Sequence, residues 1–347
     1  MTEALDAAQW QAWRDGGTPP VERLDGGIWS IPVPIPDNPL RYTLSYLISG
    51  TDGFAVVDPG WDTPAGWAAL GDGLAAAGAA ITDVVGVVIT HIHPDHHGLS
   101  ARVREASGAW IAMHPAERDT LPSRLGRVPS ELRVSLTGWL LRNGTPEAEV
   151  EDVLNVFPAS DNPTHHVDLA EPDVLLEDGD AVPLRGRGLS AVWTPGHTPG
   201  HLCLADKDAG VLLTGDHLLP HISPHVGVQP VGDPPLGPFL DSLERITVFD
   251  AMSAYPAHEY RFRGIAERVA TLRAHHEARC QELLAVVDEL GRASAWQVAQ
   301  RLTWSRPWSQ VGRMRVAAMS ETVAHIEYLI ERGDLRLLPD NRVRRAG

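Results

Sequence analysis

The sequence predicts an α/β protein: two β-rich halves parted by a pair of helices, and a small helix-and-hairpin domain at the end. Three observations carry this. Through residues 1–260, short apolar runs alternate with Gly, Pro, Asp or Asn turn signals. Between 129 and 157 that alternation stops and two helical patterns replace it. From about 275 onward the order is helix, helix, helix, hairpin, which is the layout of a winged-helix domain.

Taken in order, Ile28 to Val33, Tyr42 to Ser49, Phe54 to Asp58 and Val84 to Thr90 read as strands. The Ala-rich stretch from Trp61 to Ala79 reads as a helix between two of them. Ser100 to Ala106 and Pro115 to Leu121 read as short helices. Glu131 to Arg142 and Glu147 to Phe157 carry helical apolar spacing, which suits either a packing insertion or a lid over a site. Strands resume at Val174 to Leu176, Leu189 to Trp193, His201 to Ala205 and Val211 to Thr214. Phe239 to Val248 and Ile265 to Leu290 read as helices, the second stopped by Gly291. Ala295 to Leu302 and Ser320 to Arg332 follow as helices, and 335–343 as a hairpin wing. A chain of 347 residues is too long for one small core. The predicted division is a large domain over 1–265, with its helical insertion at about 129–157, and a winged-helix domain over 275–347.

Composition narrows the class. Apolar residues make up 43% and charged residues 21%, the balance of an ordinary folded protein. The longest apolar runs, such as 84–89, fall far short of a membrane span. Thr2, Glu3 and Asp6 near the start offer no basic head for a signal peptide. Two cysteines, Cys203 and Cys280, make a disulfide framework implausible. Together these predict no membrane partner and a cytoplasmic location. The net charge of −16 is uneven: 281–347 holds ten arginines against eight acids, leaving 19 basic and 37 acidic residues in 1–280. A body at −18 repels polyanions and argues against long nucleic acid as its substrate.

The chemistry is concentrated in Thr90-His91-Ile92-His93-Pro94-Asp95-His96-His97-Gly98, directly after an apolar strand. On extended chain, positions i and i+2 project to one side, so His91 and His93 can grip one metal together. Pro94 forbids further strand pairing and turns the chain. Asp95 and His96 can then face a second metal. Three more segments place ligand-type residues in turns beyond strands: Pro195-Gly196-His197-Thr198-Pro199-Gly200-His201, Gly215-Asp216-His217 and Ala257-His258-Glu259.

These pieces, with Val56-Val57-Asp58-Pro59-Gly60, run in one order over about 27–262, and in that order the chain resembles the metallo-β-lactamase superfamily. The resemblance implies an αββα sandwich with its site at one edge between two sheets. It implies that His91, His93 and His197 bind one metal, that Asp95, His96 and His258 bind a second, and that Asp216 bridges both. Asp58 would brace the site. The implied cofactor is a pair of divalent ions, zinc first, with iron or manganese as alternatives. True metallo-β-lactamases commonly carry cysteine where Asp216 stands; a carboxylate there matches glyoxalase II-like thioesterases, lactonases and nucleases. The tail resembles, more loosely, the winged-helix end of the subgroup related to β-lactamase-like protein 2.

The function predicted is therefore a dinuclear metal-dependent hydrolase of a small thioester, ester or lactone. Two cations sharing a water make it hydroxide near neutral pH, and Asp95 is the residue expected to orient that water or relay its proton. The main rival is an endoribonuclease or phosphodiesterase of the same superfamily. A DNA-binding regulator with a metal-sensing domain is a third reading, disfavoured by Glu321, Glu327 and Glu331 on the last helix. The winged helix would then be structural or form a homodimer.

Overall fold

In a computed structural model of the chain, the structure describes residues 2–125, 129–154, 170–227 and 234–346. Period-2 patterning sets the main layer. Along the strand Tyr42–Ser49, the alternate residues Tyr42, Leu44, Tyr46 and Ile48 are buried in one apolar cluster with Leu202, Leu204, Leu213 and Tyr255 from a second sheet. This is the interior of the sandwich.

The first sheet has seven strands, in the order Glu22–Leu24, Ile28–Pro34, Tyr42–Ser49, Phe54–Val57, Val84–Val88, Trp110–Met113 and Val174–Leu175. The first four pair antiparallel and the rest parallel. The second has six, in the order Glu3–Ala4, Phe262–Arg263, Ser253–Pro256, Val211–Gly215, Leu202–Asp206 and Leu189–Trp193. Helices cover the outer faces. Pro64–Ala76 starts at Thr63, whose hydroxyl accepts the Gly66 amide at 2.9 Å, with Pro64 in the first turn. It lies so close on the first sheet that a Cβ at Gly73 would come within 2.6 Å of Ile31. Against the second sheet, Ser242 Oγ donates to the Pro195 carbonyl at 3.0 Å. The mixed α/β, αββα architecture of the metallo-β-lactamase fold is thus present.

The chain divides into two compact units: 1–121 with 166–224 and 241–270, and 122–165 with 225–240 and 271–347. Both sheets belong to the first. In the second, Leu140, Val150, Val153 and Leu154 of the helical pair share one core with Leu283, Trp296, Met319 and Leu329. Ser294 and Gln297 form a reciprocal cap on the helix Ala295–Ala299. The hairpin Leu335–Leu337 and Val343–Arg345 turns through Asn341 at φ 58°.

Local differences from the sequence expectation have simple causes. The last helix begins at Arg315 rather than Ser320, because nothing in Arg315-Val316-Ala317-Ala318-Met319 opposes helix. The helix expected over 239–248 is Leu236–Arg245 followed by a 3-10 turn, Ile246–Phe249. Several elements are not expected from the sequence, among them the helix Ala7–Arg14, capped by Asp6, the short strands Glu3–Ala4, Glu22–Leu24 and Phe262–Arg263, the one-turn helix Trp308–Val311, and the buried strand Trp110–Met113, too short for its pattern to register. Positions 155–157 of the second inserted helix lie outside the described residues. Among the described residues, no helix is long and apolar enough to cross a membrane. Cys203 and Cys280 are both free and buried.

Candidate metal centre

The strand Val84–Val88 lies inside the first sheet, between two parallel partners, so the loop leaving its end is held on both sides. The chain stays extended through His93 (φ −65°, ψ 147°), then Pro94 opens the one-turn helix Pro94–His97. His91 and His93 are therefore presented from extended chain, Asp95 and His96 from a helical turn.

All seven residues named from the sequence come together. His91 Nε2, His93 Nδ1 and His197 Nε2 stand 2.9–3.2 Å apart. Asp95 Oδ2 lies 3.7 Å from His96 Nε2 and 3.4 Å from His258 Nε2. Asp216 faces both groups: its Oδ2 is 3.6 Å from His96 Nε2 and 3.7 Å from His197 Nε2, and its Oδ1 is 3.2 Å from His258 Nε2. These sets have the donor types and closeness of metal sites. Ring nitrogens about 2.0–2.1 Å from one tetrahedral zinc stand about 3.3 Å apart, close to the spacing of the first trio. The buried atoms His96 Nε2, His258 Nε2 and Asp216 Oδ1 make no hydrogen bond of good geometry. Buried polar atoms left this way are costly. A cation is what this donor set fits, and the His/Asp groups suit a dinuclear centre.

The surroundings fix which ring nitrogen points inward. Asp58 Oδ1 accepts the Thr90 amide at 2.8 Å, and its Oδ2 accepts the Thr90 hydroxyl at 2.7 Å. The Thr90 hydroxyl proton is thereby committed, so its oxygen accepts from His91 Nδ1–H at 3.1 Å. His96 Nδ1–H donates to Asp58 Oδ2 at 2.8 Å, and His258 Nδ1–H to the Tyr42 carbonyl at 2.9 Å. In all three rings Nδ1 carries a hydrogen for its partner and Nε2 is the nitrogen turned toward the cluster. Asp58 thus acts on both groups of ligands. His201 is different: its Nε2 accepts the Asp216 amide at 3.1 Å and its Nδ1 donates to the Thr194 hydroxyl at 2.8 Å, so both nitrogens are used. It positions Asp216. His97 is buried and packed structurally, with Nε2 on the Ala170 carbonyl at 3.0 Å. His221 is exposed, with its ring 3.6 Å from Glu259 Oε1.

Charge follows from burial and neighbours. Burial, then the neighbouring imidazoles, hold His91 well below its usual range, so it is neutral. Burial also works against a charged His258, but Asp216 and Asp95 outweigh it and push it up to about 10. His96 is raised in the same way, against burial, by Asp216, Asp95 and Asp58. Burial alone would raise Asp216, yet His258 and His96 hold it well below the carboxylate range.

Sequence reasoning missed Thr90, Tyr42, Thr43 and Glu117. Thr43 Oγ1 donates to the Asp95 carbonyl at 2.8 Å. Only Thr90, adjacent to the motif, had a position that could have drawn attention; the others act through tertiary proximity.

A β-sandwich flanked by helices, with histidines and aspartates gathered at loops leaving both sheets, defines a metal-centre protein of αββα class. Its sequence matches the pattern of the Metallo-beta-lactamase superfamily over residues 38–258, and the chain belongs to that superfamily. A solved structure, the metallo-beta-lactamase family protein TTHA1429 from Thermus thermophilus, is 34% identical, with TM-score 0.75 over 92% of this chain and 98% of that one. Among curated relatives, the lactamase-like protein aptB of Emericella nidulans is 29% identical over 158 residues, 45% of this chain and 47% of that protein. The atrochrysone carboxyl ACP thioesterase AacuM of Aspergillus aculeatus is 24% identical over 190 residues, 55% of this chain and 54% of that protein. The chain spans about half the length of these curated relatives.

Proposed function

We propose that this protein is a dinuclear metal-dependent hydrolase acting on a thioester or a related ester or lactone. The observation that carries this reading is the Asp216 carboxylate, one oxygen of which lies within 3.7 Å of a nitrogen from each histidine group. His91, His93 and His197 would hold one ion; Asp95, His96 and His258 the other; Asp216 would be shared. Two divalent ions there, zinc on the strength of the nitrogen-rich donors, would supply Lewis acidity and a water made acidic enough to attack at neutral pH. The chain's own work is to hold the donors. By holding Nδ1, the Thr90 hydroxyl, Asp58 and the Tyr42 carbonyl keep Nε2 of His91, His96 and His258 turned toward the cluster, where His96 and His258 would give up their Nε2 protons to a bound cation. The His201 ring fixes the Asp216 backbone. Asp95 turns Oδ2 to His258, and we assign its other oxygen, Oδ1, to take the proton of the attacking water and pass it toward the leaving group.

A carboxylate at 216 supports the glyoxalase II-like grouping, and the name of the thioesterase relative supports a thioester over a phosphodiester. The negative body points the same way. For the tail, the succession of helices 265–290, 295–299 and 315–331 and the closing hairpin supports a winged-helix domain over 275–347, appended to a catalytic domain over 1–265. The acids on its last helix favour a structural or dimer-forming role. The composition supports a cytoplasmic location.

The test is metal analysis of purified protein, then assays on acyl-CoA and acyl-glutathione thioesters, lactones, bis(p-nitrophenyl) phosphate and short RNA. Two ions per chain and chelator-sensitive cleavage of a thioester or lactone are expected. Cleavage confined to RNA or the phosphodiester would replace this reading with the nuclease one. A purified protein that takes up no divalent metal when supplied with it would remove both.

A further inference from the structure

One buried carboxylate outside the seven has no part in the centre as described. Glu117 is 0% exposed and sits in the first turn of the helix Pro115–Leu125. Its Oε2 accepts the amide of Ile92 at 2.9 Å, and its Oε1 accepts the amide of Gly200 at 2.7 Å. Ile92 is the residue between His91 and His93. Gly200 closes the turn that presents His197. The two oxygens of one side chain therefore join the two loops that supply the whole first trio, which are over a hundred residues apart in sequence.

The surroundings are built for this contact. The helix N-terminus favours a carboxylate at this position. Gly200 has no side chain because there is no room for one: a Cβ would stand 2.6 Å from the Glu117 amide nitrogen and 2.9 Å from its Cγ. His114, three residues before Glu117, stacks on Trp193 with ring centroids 5.0 Å apart and planes at 5°. The Trp193 indole N–H in turn donates to the Pro199 carbonyl at 3.0 Å. The same helix start thus meets the His197 turn through a ring and a carboxylate. The second group is held by other means: Asp58 on His96, the Thr43 hydroxyl on Asp95, and the Tyr42 carbonyl on His258.

We propose that Glu117 is a positioning residue for the first metal group: its carboxylate locks the His91–His93 loop to the His197 turn and sets the spacing of the three ring nitrogens. The proposal rests on the dinuclear reading above. The chemistry demands a carboxylate. Glutamine keeps the length but offers one acceptor and one NH2, and that NH2 must face a backbone N–H. Aspartate is one methylene short of spanning both amides.

The experiment compares metal-free wild type, E117Q and E117D, with E105Q as the exposed carboxylate control. Each is titrated with Co2+, followed by visible absorption and by chelator competition. H93A and H258A provide reference spectra for each group alone. Hydrogen exchange at the Ile92 and Gly200 amides is measured on the same metal-free proteins. Expected for E117Q and E117D are a native circular dichroism spectrum, faster exchange at those two amides, and a 10–100-fold loss of affinity confined to the first group. E105Q should match wild type. Wild-type affinity at both groups in E117Q would overturn the proposal, as would an equal fall at both, which marks general loosening. If wild type itself binds no Co2+, the dinuclear reading fails. The exchange measurement then still judges the tie: unchanged protection at Ile92 and Gly200 refutes it.

Discussion

Asp58→Asn is the sharpest perturbation of the centre because it preserves shape and reverses one hydrogen-bonding role. Asp58 lies at φ 52°, a conformation that asparagine tolerates as well as aspartate, so backbone strain does not confuse the result. Three donors meet the carboxylate: the Thr90 amide at 2.8 Å, the Thr90 hydroxyl at 2.7 Å and His96 Nδ1 at 2.8 Å. In the variant the remaining oxygen stays on the Thr90 amide, whose hydrogen cannot turn away. The new NH2 then faces a hydroxyl and an imidazole N–H. The hydroxyl rotates. The imidazole must shed its Nδ1 hydrogen to accept from that NH2, and the neutral ring then keeps its one hydrogen on Nε2, the nitrogen directed at Asp95 and Asp216. One or two charge-assisted bonds are lost, at about 1.5–3 kcal/mol each, so destabilisation of about 1.5–6 kcal/mol follows. That is a large share of the 5–15 kcal/mol that typically holds a domain. Divalent affinity should fall about 10–100-fold, chiefly at the group containing His96. Urea unfolding gives the first quantity and chelator competition the second. Refolded D58N with wild-type affinity at both groups, unfolding within about 1 kcal/mol of wild type, would refute the tautomer argument.

Asp216→Asn removes the charge that faces both groups. A unit charge pair at about 4 Å and effective dielectric of about 20 is worth about 4 kcal/mol, so affinity for the second ion and turnover should each drop by about a thousandfold. Normal metal content and turnover would disprove the shared role. Gly86→Ala puts a Cβ 2.1 Å from the Trp110 ring on the neighbouring strand. It should cost about 1–3 kcal/mol or more in urea unfolding, partly recovered by adding Trp110→Leu; an unchanged midpoint contradicts that packing. Acid should weaken the second unit through its buried pair His276 and His325, whose rings share a hydrogen bond of 3.1 Å. Burial, then the neighbouring Arg279 and His275 charges, pushes His325 down to about 4 although its bond to the Glu321 carbonyl resists, and burial with His325 lowers His276 as well. Both are neutral when folded but take up protons below about 6.5 when unfolded, so stability is full above that pH and is lost as pH falls. For His325 the loss is about 3 kcal/mol between pH 6.5 and 4; equal pH slopes for wild type and H325L would exclude it.

How much was legible depends on range. The His91 to His96 run could be read because its spacing is local: extended chain puts i and i+2 on one side, and proline ends it. His197, Asp216 and His258 could be read because each follows an apolar strand. The braces other than Asp58 could not. Thr43 and Tyr42 serve the centre from a strand about fifty residues before Asp95 and more than two hundred before His258, through a hydroxyl and a backbone carbonyl that carry no pattern. Glu117 looks in sequence like any acid in a helix's first turn. The inserted helices posed the same difficulty. Their apolar spacing was plain, but only the structure places Leu140, Val150, Val153 and Leu154 in a core with Trp296, Met319 and Leu329.

The amino-acid sequence by itself determined which donors this protein owns, and that they lie at strand ends, because donor chemistry and chain periodicity are local properties. The tertiary structure alone decided how those donors are held: that the Tyr42 carbonyl orients His258, that Thr43 bonds Asp95, and that Glu117 spans two loops. Those outcomes depend on distances between segments brought together by burial of the sandwich interior, and no spacing along the chain encodes them.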